Sequence, residues 1–542
     1  MVTRRRPVVL CVLDGFGERD ADAANAITTA KTPRLDALKK ASRFTTLAAS
    51  GEAIGVAEHS PGRGDLGYAT LGAGRVIPSL RATVDATIRE NKLGRVPAIA
   101  QTFEIATYDE RALHLIGLVS AGDSHAHLDH LFAMIDLAEM LEVEVVVHAI
   151  LDGRDTAPRS SLPVLDKVQS YLDGKGKLAT LSGRAWAMDR DGRWDRTYEA
   201  FRAIVRQRTL DTPPPQAEDA FDALSQAYGG ETTDANLVPT RLGEYAGMEG
   251  DFVCDFATPG APWVWTGEDV GFAFNLRGDR MHQLTAMLTH HGVPDEVASE
   301  LLMDRRYPVR AFREHCFTTM SDYHPSLDEI PHAFPTPRID DTLGAVLAAA
   351  GLSQLRCGES ERRQHLGLHF RGRHPEPHER EELRIVRTPA LIDHYSEDPA
   401  LSAAKVGTEV ASALAAGEHD FVVVSLPNAD LLAHDGELDA CVQAVEAVDA
   451  AVGVIADAVT AATGVLLVTS SHGAAEQHAD EAGDRTPGHT TNRVPFLAAG
   501  DDLSSLRAGG ALADVAPTIL ELMGIEPPAA MTGRSLFQDD DG

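Results

Sequence analysis

Short runs of β-branched and apolar residues recur along the chain, and most of them end in a carboxylate, an arginine or a histidine. Val8 to Leu13 runs directly into Asp14-Gly15-Phe16-Gly17. This predicts a buried parallel strand presenting Asp14 at its carboxyl end, where open α/β sheets place their sites; an aspartate that only caps the next segment is the bland alternative. Thr32 to Ser42 reads as a helix, and Glu52 to Val56 leads into a glycine-rich loop, His59 to Arg75. The strand LHLIGLVSAG is followed by His125, His127 and His130 around the start of an amphipathic helix. VEVVVHAIL delivers Asp152, Arg154 and Asp155; KLATLSGR and its sequel deliver Arg184, Arg190 and Arg193; GFAFNLRGDR carries Arg277 and Arg280. This alternation of strands and helices predicts an inserted α/β domain over residues 80–331.

The proline-rich stretch IPHAFPTPRIDDTLG reads as the return linker, LGAVLAAAGLSQLR as a helix, and Phe370 to Glu382 as a surface loop. FVVVSLPNADLLAH repeats the strand-then-acid pattern with Asp430, and GVLLVTSSHG does so with Ser471 and His472. His489 follows a polar loop, and Val494 to Ala499 reads as the last strand. The fold class is therefore α/β, with residues 1–79 and 332–542 forming one domain split around a second.

With 542 residues the chain predicts roughly two to four domains. Its net charge of -32 argues against a nucleic-acid backbone as partner, since such binding rests on clustered cations, and it makes any local arginine cluster more informative about an anion. Five scattered cysteines without C-x-x-C spacing point to reduced thiols and a cytoplasmic setting. No apolar run is long enough to cross a bilayer, so no membrane partner is expected. The chain is expected to be a monomer.

Two constellations carry chemistry. Asp430 and His434 are four apart, so a helix after the strand would offer both to one divalent ion, a carboxylate with an imidazole; a solvated pair is the alternative. Several arginines at strand ends in one domain suit convergent binding of phosphate and carboxylate, although any one of them alone would read as solvated.

The motifs LDGFG, DGRDT, SGR with MDRD and RWDR, the R-x-D-R of Arg277 to Arg280, NAD-x-x-x-H and GHTTN stand in one order along the chain. In that order they resemble cofactor-independent phosphoglycerate mutases, of the alkaline phosphatase superfamily. The resemblance covers essentially the whole chain. It implies an alkaline-phosphatase-like domain split around an inserted substrate-phosphate domain, with the site in the cleft between them. It further implies that Asp430, His434 and His489 hold a first metal, Mn²⁺ in type, and that His125, Arg154, Asp155, Arg184, Arg190, Arg277, Arg280 and Arg362 grip a phosphoglycerate.

One departure is central. The family pattern G-N-S-E-V-G-H is replaced here by Gly62, Arg63, Gly64, Asp65, Leu66, Gly67 and Tyr68, so glycine stands in place of the nucleophilic serine. Of the second-metal ligands that the resemblance implies, only Asp14 and His472 remain; Gly64 and Ser471 replace the others. A second ion is therefore not expected, and Arg63 is expected to pair with Asp14 or a phosphoryl oxygen in its stead. The expected activity is phosphoryl transfer on a phosphorylated or phosphonylated small acid without phosphoserine, including phosphonoformyl or phosphoryl transfer from an activated nucleotide to a glycerate-type acceptor. The alternatives are mutase activity with a substitute nucleophile, Ser60 or Ser471, and a silent phosphoglycerate-binding protein.

Overall fold

The computed structural model describes residues 7–122, 125–190, 192–206, 212–254, 263–304, 307–313, 315–389, 395–435, 437–479 and 488–538. The chain divides into two compact units, Met1–Ala82 with Pro337–Gly542, and Thr83–Thr336. Both are α/β.

The first unit is built on an eight-stranded sheet. Its order is Glu381–Val386, Gln354–Glu359, Phe421–Leu426, Val8–Leu13, Val465–Thr469, Val494–Ala499, Arg43–Ala48 and Gly510–Ala511. The first five are parallel, and Val494–Ala499 runs antiparallel to both neighbours. Val8–Leu13 is buried along its whole length, as its unbroken apolar run predicts. Alternate residues face two apolar layers: Val9, Cys11 and Leu13 pack with the long helix Leu438–Ala461, and Val8, Leu10 and Val12 with Val515–Leu522. The register pairs Leu13 with Leu426 and Val12 with Thr469, so three neighbouring strands end at one level and release Asp14, the helix Asn428–Asp435 and Ser471 side by side.

Gly15 is required there. Its φ is +83°, and a β-carbon would stand 2.7 Å from the backbone nitrogen of Asp430. The chain can turn past Asp430 only without a side chain.

Three expectations need correction in this unit. The stretch His59 to Arg75 is not a loop throughout, because Gly64–Ala73 is an α-helix with eight buried residues, its glycines at 67 and 72 letting Ser471 and Phe370 approach closely. Val494–Ala499 is followed by a further short strand, Gly510–Ala511, which pairs with Arg43–Ala48. Phe370 to Glu382 is a surface loop only over 373–380: Phe370 and Arg371 are buried, and Glu381 begins an edge strand. The charges are tolerated inside because Glu381 pairs with both Arg371 and the fully buried Arg356.

The second unit carries an eight-stranded sheet ordered His332–Phe334, Phe317–Ser321, Val270–Ala273, Leu113–Leu118, Val145–Leu151, Gly176–Gly183, Thr240–Leu242 and Gln216–Ala217. The first six are parallel. A separate four-stranded sheet joins Met303–Asp304, Tyr307–Arg310, Trp263–Gly267 and Gly250–Cys254. The carboxyl ends of Leu113–Leu118, Val145–Leu151, Gly176–Gly183 and Val270–Ala273 deliver Ser120, Asp152, Arg184 and Asn275.

Candidate functional site

In the first unit Asp14 and Asp430 are both buried carboxylates. Asp430 and His434 lie on one helix four residues apart, and the helix turns His434 Nε2 to within 3.6 Å of Asp430 Oδ1. His489 Nε2 lies 3.3 Å from the same oxygen, and its Nδ1 is fixed by the carbonyl of Gly62 at 2.7 Å. Ligand atoms of Asp430, His434 and His489 all fall within 4.8 Å of one another. One carboxylate and two imidazoles at that spacing fit a divalent ion of the Mn²⁺ or Zn²⁺ kind, with the histidine Nδ1 bond to a carbonyl setting ring orientation.

The place beside them is occupied by a cation of the protein's own. Arg362 Nε donates to Asp14 Oδ2 at 2.8 Å, and Arg362 Nη2 donates to Asp430 Oδ2. Arg362 is buried, and the two carboxylates raise its pKa against the effect of burial. Asp14 also accepts from Tyr68 Oη at 3.1 Å, from Ser425 Oγ at 3.1 Å and from Ser471 Oγ. His472 bridges the two carboxylates' neighbourhoods, with Nδ1 2.8 Å from Ser471 Oγ and Nε2 2.9 Å from Asp430 Oδ1. Burial would raise the pKa of Asp430, yet His472 and Arg362 hold it well below the carboxylate range. Burial and the charge of Asp14 push the Tyr68 phenol well above its ordinary value, so it stays a donor.

Arg63 is not the compensating cation. It pairs with its neighbour Asp65, at 2.8 and 3.1 Å, on the exposed side of the helix start, because Asp65 is two residues away and Asp14 already has Arg362. Arg362, read from the sequence as a substrate-gripping residue, is the one bonded to Asp14 and Asp430. A second ion at Asp14 and His472 does not fit this arrangement, since the guanidinium already neutralises the carboxylate oxygens it would need. Ser471 is fully buried, with its hydroxyl on Asp14; Ser60 contributes backbone bonds to Ala57 and Gly51.

The loops are tied down by Glu476, whose carboxylate accepts from the backbone of Gly17 and Ala474 and from Asn492 at 2.8–3.0 Å. That fixes the turn after Asp14 against the one after His489.

In the second unit a cluster of arginines forms around three aspartates. Arg184 is buried; its Nη1 donates to Asp152 Oδ1 at 2.5 Å and to Asp155 Oδ2 at 2.9 Å. Its Nη2 lies 3.0 Å from His125 Nε2. Burial, then Arg277 and Arg184, bring the His125 pKa down to about 4, so its Nε2 accepts from Arg184 and the proton resides on Nδ1. His125 Nδ1 is buried and has no partner among the described residues. Asp152 is held by Ser120 Oγ at 2.6 Å and by the backbone of Arg154 and Asp155. Asp279 collects Arg277 at 3.1 Å and Arg190 at 3.4 Å. Burial, with the charges of Arg190, Arg184 and Arg154, lowers the pKa of Arg280. His130 is not part of the cluster; it is buried against Asp85 at 2.6 Å.

The profile of the Metalloenzyme superfamily matches residues 6–527. A 2,3-bisphosphoglycerate-independent phosphoglycerate mutase of a Cyanothece strain is 38% identical, with 99% of this chain and 97% of that protein covered. The chain belongs to this mutase family. A second relative of the same name, from Methanosarcina barkeri, is 35% identical over the full length of both proteins. Among solved structures, phosphoglycerate mutase of Leishmania mexicana, crystallised at low cobalt concentration, superimposes with a TM-score of 0.73 at 25% identity, covering 99% of this chain and 98% of that one. The alkaline-phosphatase-like α/β architecture follows, and the protein is a metal-dependent enzyme of the mutase and phosphotransferase kind.

Three further site neighbours, Tyr68, Ser425 and Asp279, are not among the residues expected from the sequence. Tyr68 was visible as the residue in place of the family's histidine, and Asp279 as the acid inside R-x-D-R. Ser425 has no sequence signal, because a serine inside FVVVSL reads as ordinary strand.

Proposed function

We propose that this protein transfers the phosphoryl group of a glycerate phosphate, without a phosphoserine, using one divalent ion held by Asp430, His434 and His489. The observation that carries the reading is Arg362 bonded to both Asp14 and Asp430 while residue 64 is glycine. A glycine in place of the serine and a permanent cation beside the first metal trio together support a site that works with one ion. When bound, the ion would supply Lewis-acid stabilisation of charge on the phosphoryl oxygens. Arg362 spreads further positive charge at the same place.

In the other unit Arg154, Arg184, Arg190, Arg277 and Arg280 would take the acid's phosphate and carboxylate, with Asp155 holding Arg184 in position. The unpartnered His125 Nδ1–H is a donor ready for one of the ligand's oxygens. The reading is confined to phosphate monoesters of three-carbon acids, the class carried by the relatives' name.

An enolase-coupled assay of 3-phosphoglycerate conversion with Mn²⁺, run beside an ion count, tests it. Turnover with one bound ion per chain is the expected result. Two ions per chain in the native protein, or turnover undiminished in EDTA, would refute it.

A further inference from the structure

The vacated position 64 is not vacant of nucleophiles. An ideal β-carbon on Gly64 would lie 3.0 Å from His365 Nε2, 3.4 Å from its Cδ2 and 3.5 Å from His472 Cε1. His365 therefore aims Nε2 at the start of the helix Gly64–Ala73, where a serine's side chain would have stood.

The ring is held for that direction. It begins a π-helical turn, His365–His369, a local widening often found at functional sites. It packs edge-on against Tyr68, at 5.3 Å between centroids, and against His369 at 5.6 Å. Tyr68 is in turn fixed by Asp14 and Ser425. His365 Nδ1 is buried without a partner among the described residues, whereas Nε2 faces the space that glycine leaves open. Burial, then the charge of Arg362, brings its pKa down to about 4, so the ring is neutral at neutral pH and one nitrogen has a free lone pair. His472, the other ring flanking position 64, is bonded to Asp430 and so connects this point to the metal trio.

We propose that His365 Nε2 is the phosphoryl carrier of this enzyme, in place of the serine hydroxyl. This rests on the phosphoryl-transfer reading above and deepens it. In the first half-reaction the Nε2 lone pair forms a P–N bond as the ester P–O bond breaks. The electron pair of that bond goes to the glycerate oxygen, which takes a proton from water. In the second half-reaction the acceptor hydroxyl attacks phosphorus and releases its proton to water, and the P–N pair returns to Nε2. Nδ1 keeps its proton throughout. Gly64 has a positive role in this scheme, because any β-carbon there would crowd the attacking nitrogen.

The test uses the full-length protein with Mn²⁺ and 3-phosphoglycerate, quenched at neutral pH and mapped by mass spectrometry. The expected result is a phosphate on the peptide containing His365 that is labile to acid and stable to alkali. His365→Gln should abolish the adduct and lower kcat by ~10³-fold or more while Mn²⁺ binding is retained. Gly64→Ala, which keeps the imidazole but crowds Nε2, should lower kcat with little change in KM, whereas a merely structural histidine would leave that split unmoved. Added imidazole should restore part of the turnover to His365→Gly. An acid-stable phosphoserine, or turnover that survives His365→Gln, overturns the carrier and leaves phosphoryl transfer standing. A native protein that neither turns over nor becomes labelled overturns both.

Discussion

Replacing Arg362 by methionine removes the guanidinium and retains most of the side chain's volume, leaving Asp14 and Asp430 buried and facing each other. Breaking a buried ion pair costs about 3–5 kcal/mol. The lower end applies here, because Asp430 keeps its bond to His472 at 2.9 Å and Asp14 keeps donors from Tyr68, Ser425 and Ser471. The metal-free variant should therefore be less stable than the native protein by about 3 kcal/mol. The same change frees two carboxylates and His472 for a second ion. An ion present at a hundred times its Kd returns ~2.7 kcal/mol, so Mn²⁺ should restore nearly all of the loss. Asp430 has a depressed pKa, so the contribution of its ion pair is present above about pH 4 and lost as pH falls toward the folded-state value. The gap between the two proteins should close in acid. Denaturation followed by circular dichroism, with EDTA or Mn²⁺, together with an ion count by mass spectrometry, measures each part. A methionine variant of native stability in EDTA that still binds a single ion would refute the idea that Arg362 stands in for a metal.

Other outcomes follow from the same geometry. Glu359 is buried and its pKa is pushed up to about 7, above an unfolded value of 4.5, so stability falls as pH rises between those values. Glu359→Gln should be more stable than the native protein at pH 8 by about 3 kcal/mol and indistinguishable near pH 4, as thermal scans at both pH values would reveal. Glu381→Ala leaves Arg356 and Arg371 buried and unpaired and should cost about 3–5 kcal/mol in denaturation midpoints, with Mn²⁺ affinity unchanged in the folded fraction by calorimetry. Arg184→Ala removes the partner of Asp152, Asp155 and His125 and should weaken 3-phosphoglycerate binding by about 2–5 kcal/mol, read calorimetrically without metal.

Val8–Leu13 and its Asp14 were legible because an unbroken apolar run into Asp-Gly has few structural meanings in an α/β chain. Asp430 and His434 were legible because helix periodicity converts a spacing of four into proximity. Arg362 was legible as a substrate-gripping charge through the resemblance, but its pairing with Asp14 and Asp430 was not. It sits in GESERR, where the bland reading is a solvated face, and its burial depends on carboxylates 348 and 68 residues away. Arg63 misled for the complementary reason, since adjacency to Gly64 along the chain says nothing about which way a long side chain at a helix start will turn. The helix beginning at Gly64 was hidden by its glycines, whose small size lets Phe370 and Ser471 approach closely. His365 gave no signal at all without coordinates, because its relation to position 64 is purely spatial.

The central strand of the first unit makes demands on the chain while it is being synthesised. Val8–Leu13 pairs with Phe421–Leu426 and Val465–Thr469, so an unshielded apolar hexapeptide emerges about 400 residues before its first neighbour. At ~5–20 residues per second the interval is roughly 20–80 seconds. The unit Thr83–Thr336 has all its strands within one continuous segment and can complete its sheet during that interval. A ribosome-bound intermediate with the interior domain folded and the strand Val8–Leu13 still unpaired is thus built into the topology, and holding chaperones would find their target in that strand.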